Sequence, residues 1–362
     1  MKRTKSKSRL LCLGLCLVLT GCGTAGEVSP AETSSAAETS ETAEETVYLS
    51  VATSGNWENI IRGELFEEYT EKLSAWSDGE IVMKIYYDGE LGTDLELIAG
   101  VQEGTLCIVN LVPTYQTSAV PEAALLDIPG LFETTEEFNY FIDNYYMDSL
   151  QEYYQAAGIR LLTCSAFSFR QLTSNQEVTS LTDLKGLKLR TMESEYQIAF
   201  WQSMGATVIP LSFTEVRLAI QQGILDAQEN PLGYMITTNL IGVQDYVILT
   251  NHLPMISTYL MNEEQYQALS EEDRELLQRF MDEMSQELVE QEPAEEDEIL
   301  EELTAQGVQI SEASKDIREG IQAGKEVVIG MLREDLGAEV VDDYLEQVAE
   351  AKEAYAAENE IE

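Results

Sequence analysis

The sequence predicts an α/β protein of two domains, with mostly parallel sheets and one long kinked helix crossing both. Three observations predict it. Strand and helix signals alternate from Val47 onward, the pattern of parallel strands covered by helices. The stretch from Val47 to Glu362 is too long for one small core and suits two. A helical pattern opens at Ser270-Glu271-Glu272-Asp273 and runs through Leu277, Phe280, Met284, Leu288, Ile299 and Leu303 to Gln306. Such a helix measures roughly 54 Å, longer than a small domain is wide. Pro293 in its interior predicts the kink.

The elements follow in order. Val47–Thr53 reads as a strand. Trp57–Leu73 reads as an amphipathic helix, with Ile61, Leu65, Tyr69 and Leu73 at i+4 steps and Phe66 beside them. Glu80–Tyr87 is a strand with Ile81, Met83 and Ile85 on one face. Asp94–Glu103 is a short helix closed by Gly104. Leu106–Val109 is continuously apolar, as a strand buried on both faces should be. Asp148–Ala157 is helical up to Gly158, and Arg160–Cys164 is a strand.

Asp183 to Pro231 is the most informative stretch. Strand Gly186–Arg190, helix Ser194–Met204, strand Thr207–Leu211, a helix Glu215–Gln222 capped by Thr214, and strand Ile224–Gln228 make a βαβαβ unit. Ligands of open α/β sheets bind beyond the carboxyl ends of the strands. Arg190, Phe213 and Asn230 stand at those ends. Topology therefore gathers a cation, an aromatic face and an amide.

The N-terminus is of another kind. Lys2, Arg3, Lys5, Lys7 and Arg9 precede an apolar run, Leu10–Leu19. That run has signal-peptide length and is too short for a bilayer, which takes about 20 residues. Leu19-Thr20-Gly21-Cys22 follows, resembling the lipobox of bacterial lipoproteins, which implies cleavage after residue 21 and acylation of Cys22. Residues 23–46 are mostly Ser, Thr, Ala and Glu, with no aromatic, and are expected to be a disordered tether.

The chain has 21 Lys+Arg against 66 Asp+Glu, a formal charge of −45. That excludes binding to nucleic acid by phosphate neutralisation and to anionic lipid by basic patches. Cys107 and Cys164 remain beyond the leader, each in an apolar run, and are expected to be buried thiols. The single histidine, His252, leaves no metal cluster and no nucleophile–base pair. No cofactor and no enzymatic activity are expected.

Six segments resemble the solute-binding proteins of tripartite ATP-independent periplasmic (TRAP) transporters, the dicarboxylate-binding DctP-like family. They are Gly89-Glu90-Leu91-Gly92, Phe169-Arg170-Gln171-Leu172-Thr173-Ser174, Asp183 to Arg190, Glu215-Val216 with Ala219-Ile220-Gln221, Asp226 to Pro231, and Leu249-Thr250-Asn251-His252. The resemblance implies a two-lobed periplasmic-binding-protein-like fold that closes on its ligand. The expected division is lobe I at 47–167 and 256–293, lobe II at 168–255 and 294–345, and an acidic tail at 346–362. It further implies that Arg190 clamps a ligand carboxylate in its planar fork. Asn230 is implied to donate to the same carboxylate, Arg170 to support it or touch the ligand, and Phe213 to match the family's aromatic.

Departures leave the ligand's far end open. Thr191-Met192-Glu193 follows the clamp where the family has Val-Pro. Glu193 either starts the next helix, pairs with Arg170 or faces a ligand ammonium. On the other lobe the candidates are Asn110 and the strand end Thr53-Ser54-Gly55-Asn56-Trp57, Trp57 above all. The function implied is capture of a small organic acid by an extracytoplasmic, lipid-anchored monomer, for delivery to the small and large integral subunits of a TRAP permease. The alternatives are service to an ATP-driven importer or to a surface signalling system.

Overall fold

The computed structural model describes residues 46–57, 60–240 and 242–359. The leader, Cys22 and the tether up to residue 45 lie outside the described residues.

Eleven strands are described: β1 (Val47–Ala52), β2 (Ile81–Tyr86), β3 (Ile108–Leu111), β4 (Ile159–Phe169), β5 (Gln171–Ser174), β6 (Lys188–Thr191), β7 (Thr207–Pro210), β8 (Ala227–Asn230), β9 (Tyr246–Leu249), β10 (Pro254–Asn262) and β11 (Gln309–Glu312). They form two sheets, ordered β2-β1-β3-β10-β4 and β11-β9-β5-β8-β6-β7. The antiparallel pairings all involve β10 or β5. The other pairs are parallel.

These two strands lie where the chain changes sheets. It leaves the first sheet at Arg170, between β4 and β5, and returns between β9 and β10. The Arg170 backbone N–H donates to the Leu253 carbonyl at 2.9 Å, tying the two crossings together.

The helices are α1 (Ile61–Trp76), α2 (Asp94–Glu103), α3 (Thr135–Phe141), α4 (Met147–Ala156), α5 (Glu195–Ser203), α6 (Val216–Gln221), α7 (Gly233–Thr237), α8 (Glu263–Ala268), α9 (Glu271–Ala305), α10 (Lys315–Asp335) and α11 (Ala338–Asn359). α2 has the bounds the sequence predicts. A capping box of Thr93 and Glu96 starts it, and Gly104, at φ 74°, ends it in the left-handed region.

α9 is the long helix, continuous through Pro293. Leu277, Phe280, Met281, Met284 and Leu288 pack against residues of the first sheet and α1, including Leu49, Val51, Phe66 and Tyr69. Beyond Pro293, Ile299 and Leu303 pack with Val247 of the second sheet and with Leu232 and Met235. One helix thus buries its two halves against different sheets.

Several elements differ from expectation. α1 begins at Ile61 rather than Trp57, because Trp57 turns into the core and is fully buried. The strand expected at Leu106–Val109 lies at Ile108–Leu111. Thr214 is not a helix cap: Phe213–Glu215 is a 3-10 turn, and Ser212 Oγ donates to Glu215 Oε2 at 2.7 Å. The strand expected at Ile224–Gln228 lies at Ala227–Asn230, which makes Asn230 its last residue and leaves Ile224 exposed. The stretch expected as an acidic tail forms, up to Asn359, the second half of α11, with Val348 and Ala351 buried. Cys164 is buried, Cys107 half-buried, and they form no disulfide.

Candidate ligand-binding site

One cavity, with about 50 Å³ of room, lies between the two sheets. From the second sheet's side it is lined by Arg190, Met192, Phe213, Asn230 and Tyr234, with Arg170 at the crossing. From the first sheet come Ser54 and Gly55 after β1, Arg62 of α1, Asp94 of α2, Asn110 of β3, Tyr115, and Ser257 of β10. Of the residues singled out from the sequence, the structure brings Arg190, Arg170, Asn230, Phe213 and Asn110 together here.

Arg190 is 1% exposed. Parallel pairing of β6 with β7 and β8 sets it opposite Ile209 and Gln228. Its Nε and Nη2 donate to the Leu211 carbonyl at 2.9 and 2.6 Å, and Nη2 also reaches the Tyr115 hydroxyl at 3.3 Å. Among the described residues no carboxylate pairs with it within 4.0 Å, and its remaining N–H groups are uncommitted. Asp94 is the cavity's acid. Burial raises its pKa, against the Ser54 Oγ hydrogen bond at 2.7 Å and the field of Arg190. Burial likewise pushes the Tyr115 hydroxyl up to about 12, so it stays a donor.

Arg170 is committed differently. Nε and Nη2 meet the Glu229 carboxylate at 2.5 and 3.0 Å, and Nη2 donates to Asn230 Oδ1 at 2.9 Å. Glu229 also meets His252 Nε2 at 3.1 Å, and His252 Nδ1 lies 2.8 Å from Thr250 Oγ1. Burial alone would raise Glu229, but Arg170 and His252 hold it down to about 2. His252 is lowered, chiefly by burial, and is a structural residue. Asn230 Nδ2 donates to Gln228 Oε1 at 2.5 Å, and Gln228 Nε2 to Thr173 Oγ1 at 2.7 Å. An amide offers two N–H groups, so Asn230 keeps one for the cavity. Phe213 packs edge-on against Tyr234, centroids 5.1 Å apart.

Two candidates fall outside the lining. Trp57 lies behind it, edge-on to Phe66, Tyr87 and Tyr259, because Gly55 and the Arg62 guanidinium cover it. A Cβ at Gly55 would meet the indole Nε1 at 2.8 Å. Glu193 is exposed and acts on the cavity only through its field on Asp94. Its position just before Ser194, the cap of α5, turns it out to solvent. Asn110 spends its amide donors on Ser257 Oγ and the Thr258 carbonyl, at 2.7 and 3.2 Å, leaving Oδ1. Sequence reasoning missed Arg62, Asp94 and Tyr115.

Comparison with known proteins agrees with this architecture. Residues 53–334 match the profile of the bacterial extracellular solute-binding protein, family 7. A solute-binding protein of Verminephrobacter eiseniae (strain EF01-2) is 30% identical over 66% of this chain and 70% of its own. The 2,3-diketo-L-gulonate-binding periplasmic protein YiaO of Escherichia coli (strain K12) is 29% identical over 58% of this chain and 65% of its own, just under two thirds. The sugar acid binding protein DctPAm of Advenella mimigardefordensis strain DPN7T, solved with galactonate, superposes with a TM-score of 0.79 at 25% identity, covering 85% of this chain and 99% of that one. With a family profile spanning most of its length, and with these relatives, this chain belongs to family 7 of the bacterial extracellular solute-binding proteins, the binding proteins of TRAP transporters, which are not enzymes.

Proposed function

We propose that this protein captures a small organic acid outside the cytoplasm and delivers it to the small and large integral subunits of a TRAP permease. The observation that carries the reading is Arg190, a buried guanidinium with no carboxylate partner on a cavity wall. A buried cation without an anion is costly, and a ligand carboxylate relieves that cost. Two parallel N–H groups suit a carboxylate, and the Tyr115 hydroxyl and the spare N–H of Asn230 adjoin. Arg170, neutralised by Glu229, serves as support for Asn230.

In this reading the two lobes close around the acid, and the protein acts as a monomer tethered to the membrane through acylated Cys22. Mass spectrometry of acid released from purified protein identifies the ligand. Calorimetry then tests the clamp. Arg190→Ala and Arg190→Lys each lose roughly 30- to several-thousand-fold in affinity, the range for truncating one partner of a buried charge pair. Near-native affinity in both variants overturns the assignment.

A further inference from the structure

A second buried arginine faces the same cavity from the opposite sheet, and no contact among the described residues accounts for its charge. Arg62, in the first turn of α1, is 4% exposed. Its guanidinium carbon sits 3.9 Å from the Phe167 ring centroid and 5.1 Å from that of Trp57. Aromatic faces orient a guanidinium plane but accept nothing from its N–H edges. Nη2 is enclosed with no hydrogen-bond partner. Among the described residues no carboxylate pairs with Arg62 within 4.0 Å.

The acids around it are otherwise engaged. Glu292 is 7% exposed and feels Arg62 through space, but burial pushes it up to about 8 against that pull, with Glu295 and Glu296 adding to the rise. Glu295 Oε1 accepts the Ile61 backbone N–H at 2.6 Å. Asp94 accepts from Ser54 and lies in the field of Arg190.

We infer that Arg62 binds a second anionic group of the ligand, so that the acid taken by this protein carries negatively charged oxygens at both ends. The inference rests on Arg190 as the clamp of the first carboxylate. It separates this chain from binders of acids such as galactonate, whose far end is a hydroxyl.

The test compares straight-chain diacids of increasing length with their monoamides, which keep the shape and lose one charge. Calorimetry on the full chain reads the ratio of affinities. In the wild type at least one diacid binds tenfold or more tighter than its monoamide. Arg62→Gln brings that ratio to within twofold while monoamide binding persists, and Arg62→Lys, which keeps the charge, retains part of it. Arg190→Gln loses both ligands.

Equal binding of diacid and monoamide by the wild type overturns the inference, and so does an unchanged ratio in Arg62→Gln. Binding of monocarboxylic sugar acids with no diacid bound overturns it too, leaving the Arg190 clamp standing. If the wild type binds no acid of any kind, the proposed function itself fails. The wild-type ratio needs no variant, so the test survives a poorly folding Arg62→Gln.

Discussion

The Arg170 guanidinium and the Glu229 carboxylate form an ion pair at 2.5 Å, with side chains 3% and 0% exposed. Removing one partner of such a pair leaves an uncompensated buried charge. Glu229→Gln is expected to lower stability by about 3–5 kcal/mol, the range for breaking a buried pair. It should also weaken ligand binding, because Arg170 holds Asn230 Oδ1 in place. Urea unfolding gives the first quantity and calorimetry the second. An unchanged urea midpoint would show that the pair does not hold the crossing.

Acid acts on the same cluster. Glu229 is held down to about 2, below the ordinary carboxylate value of about 4.3. Its stabilisation is complete above that ordinary value and is lost as pH falls toward 2. His252 is lowered, chiefly by burial, so on acidification the unfolded chain takes up that proton before the folded one does. Stability therefore also falls as pH drops through about 6.5. The stability this cluster contributes should therefore decline on acidification, and the gap in melting temperature between the wild type and Glu229→Gln should narrow toward acid pH.

Asp127 has the opposite sign. Burial pushes it up to about 7, against hydrogen bonds from Gln197 and Thr114, and its Oδ2 is enclosed without a partner. A raised folded-state value gives stability that is complete below about 4 and lost as pH rises through 7. Asp127→Asn keeps an acceptor for Thr114 Oγ1 and cannot ionise. It should be more stable than the wild type at alkaline pH, by on the order of 1–3 kcal/mol, and equal to it in acid. Urea midpoints across pH check this, and parallel curves for the two proteins would refute it.

Pro293 separates the halves of α9 that pack on the two sheets. Pro293→Ala restores a helical N–H and should raise resistance to urea. If the lobes close by bending there, the straighter helix favours the open form and weakens ligand binding by the free energy that form gains. Small-angle scattering should show the wild type compacting on ligand saturation. An unchanged radius of gyration counts against closure, and unchanged affinity in Pro293→Ala removes the helix from the motion.

Cys22→Ser is expected to release the protein from membranes or leave it unprocessed, since stable anchoring takes more than one acyl chain and a lipoprotein cysteine carries several. Membrane fractionation decides. A wild type wholly in the soluble fraction defeats the anchor.

The second-sheet side of the site was legible because strand ends need only local signals. Gly186, Gly205 and Gly223 delimit the βαβαβ unit, and topology then gathers Arg190, Phe213 and Asn230 without any contact being known. The first-sheet side was not. Arg62 heads the apolar stripe that continues through Leu65, Phe66, Tyr69 and Leu73, all buried. Taking Ile61 as the head of that stripe hid the arginine, although a cation at i, with apolar residues at i+3, i+4 and i+7, was the available signal. β10 escaped notice for another reason. All nine of its residues are buried, so its burial has no alternation, and an initial Pro254 with Ser257 and Thr258 in its middle weakens the strand signal. Tyr115 and Asp94 reach the cavity through long-range packing that no window of sequence contains.

Apart from Arg190, the polar residues of the second sheet near the cavity are held by one another. Asn230 leans on Gln228, Gln228 on Thr173, Thr173 on Gln244, Arg170 on Glu229, and Glu229 on His252. Arg62 and the Asn110 carbonyl, across the cavity, owe nothing of that kind to the fold. Substitutions that retune which acid is taken up will therefore accumulate on the first-sheet wall, where fewer hydrogen bonds tie the ligand-facing groups to the fold. On the opposite wall the same change would unsettle the crossing between the sheets before it altered selectivity. Diversification by inheritance and redesign at the bench face the same asymmetry: one wall is adjustable, and the other is inherited whole.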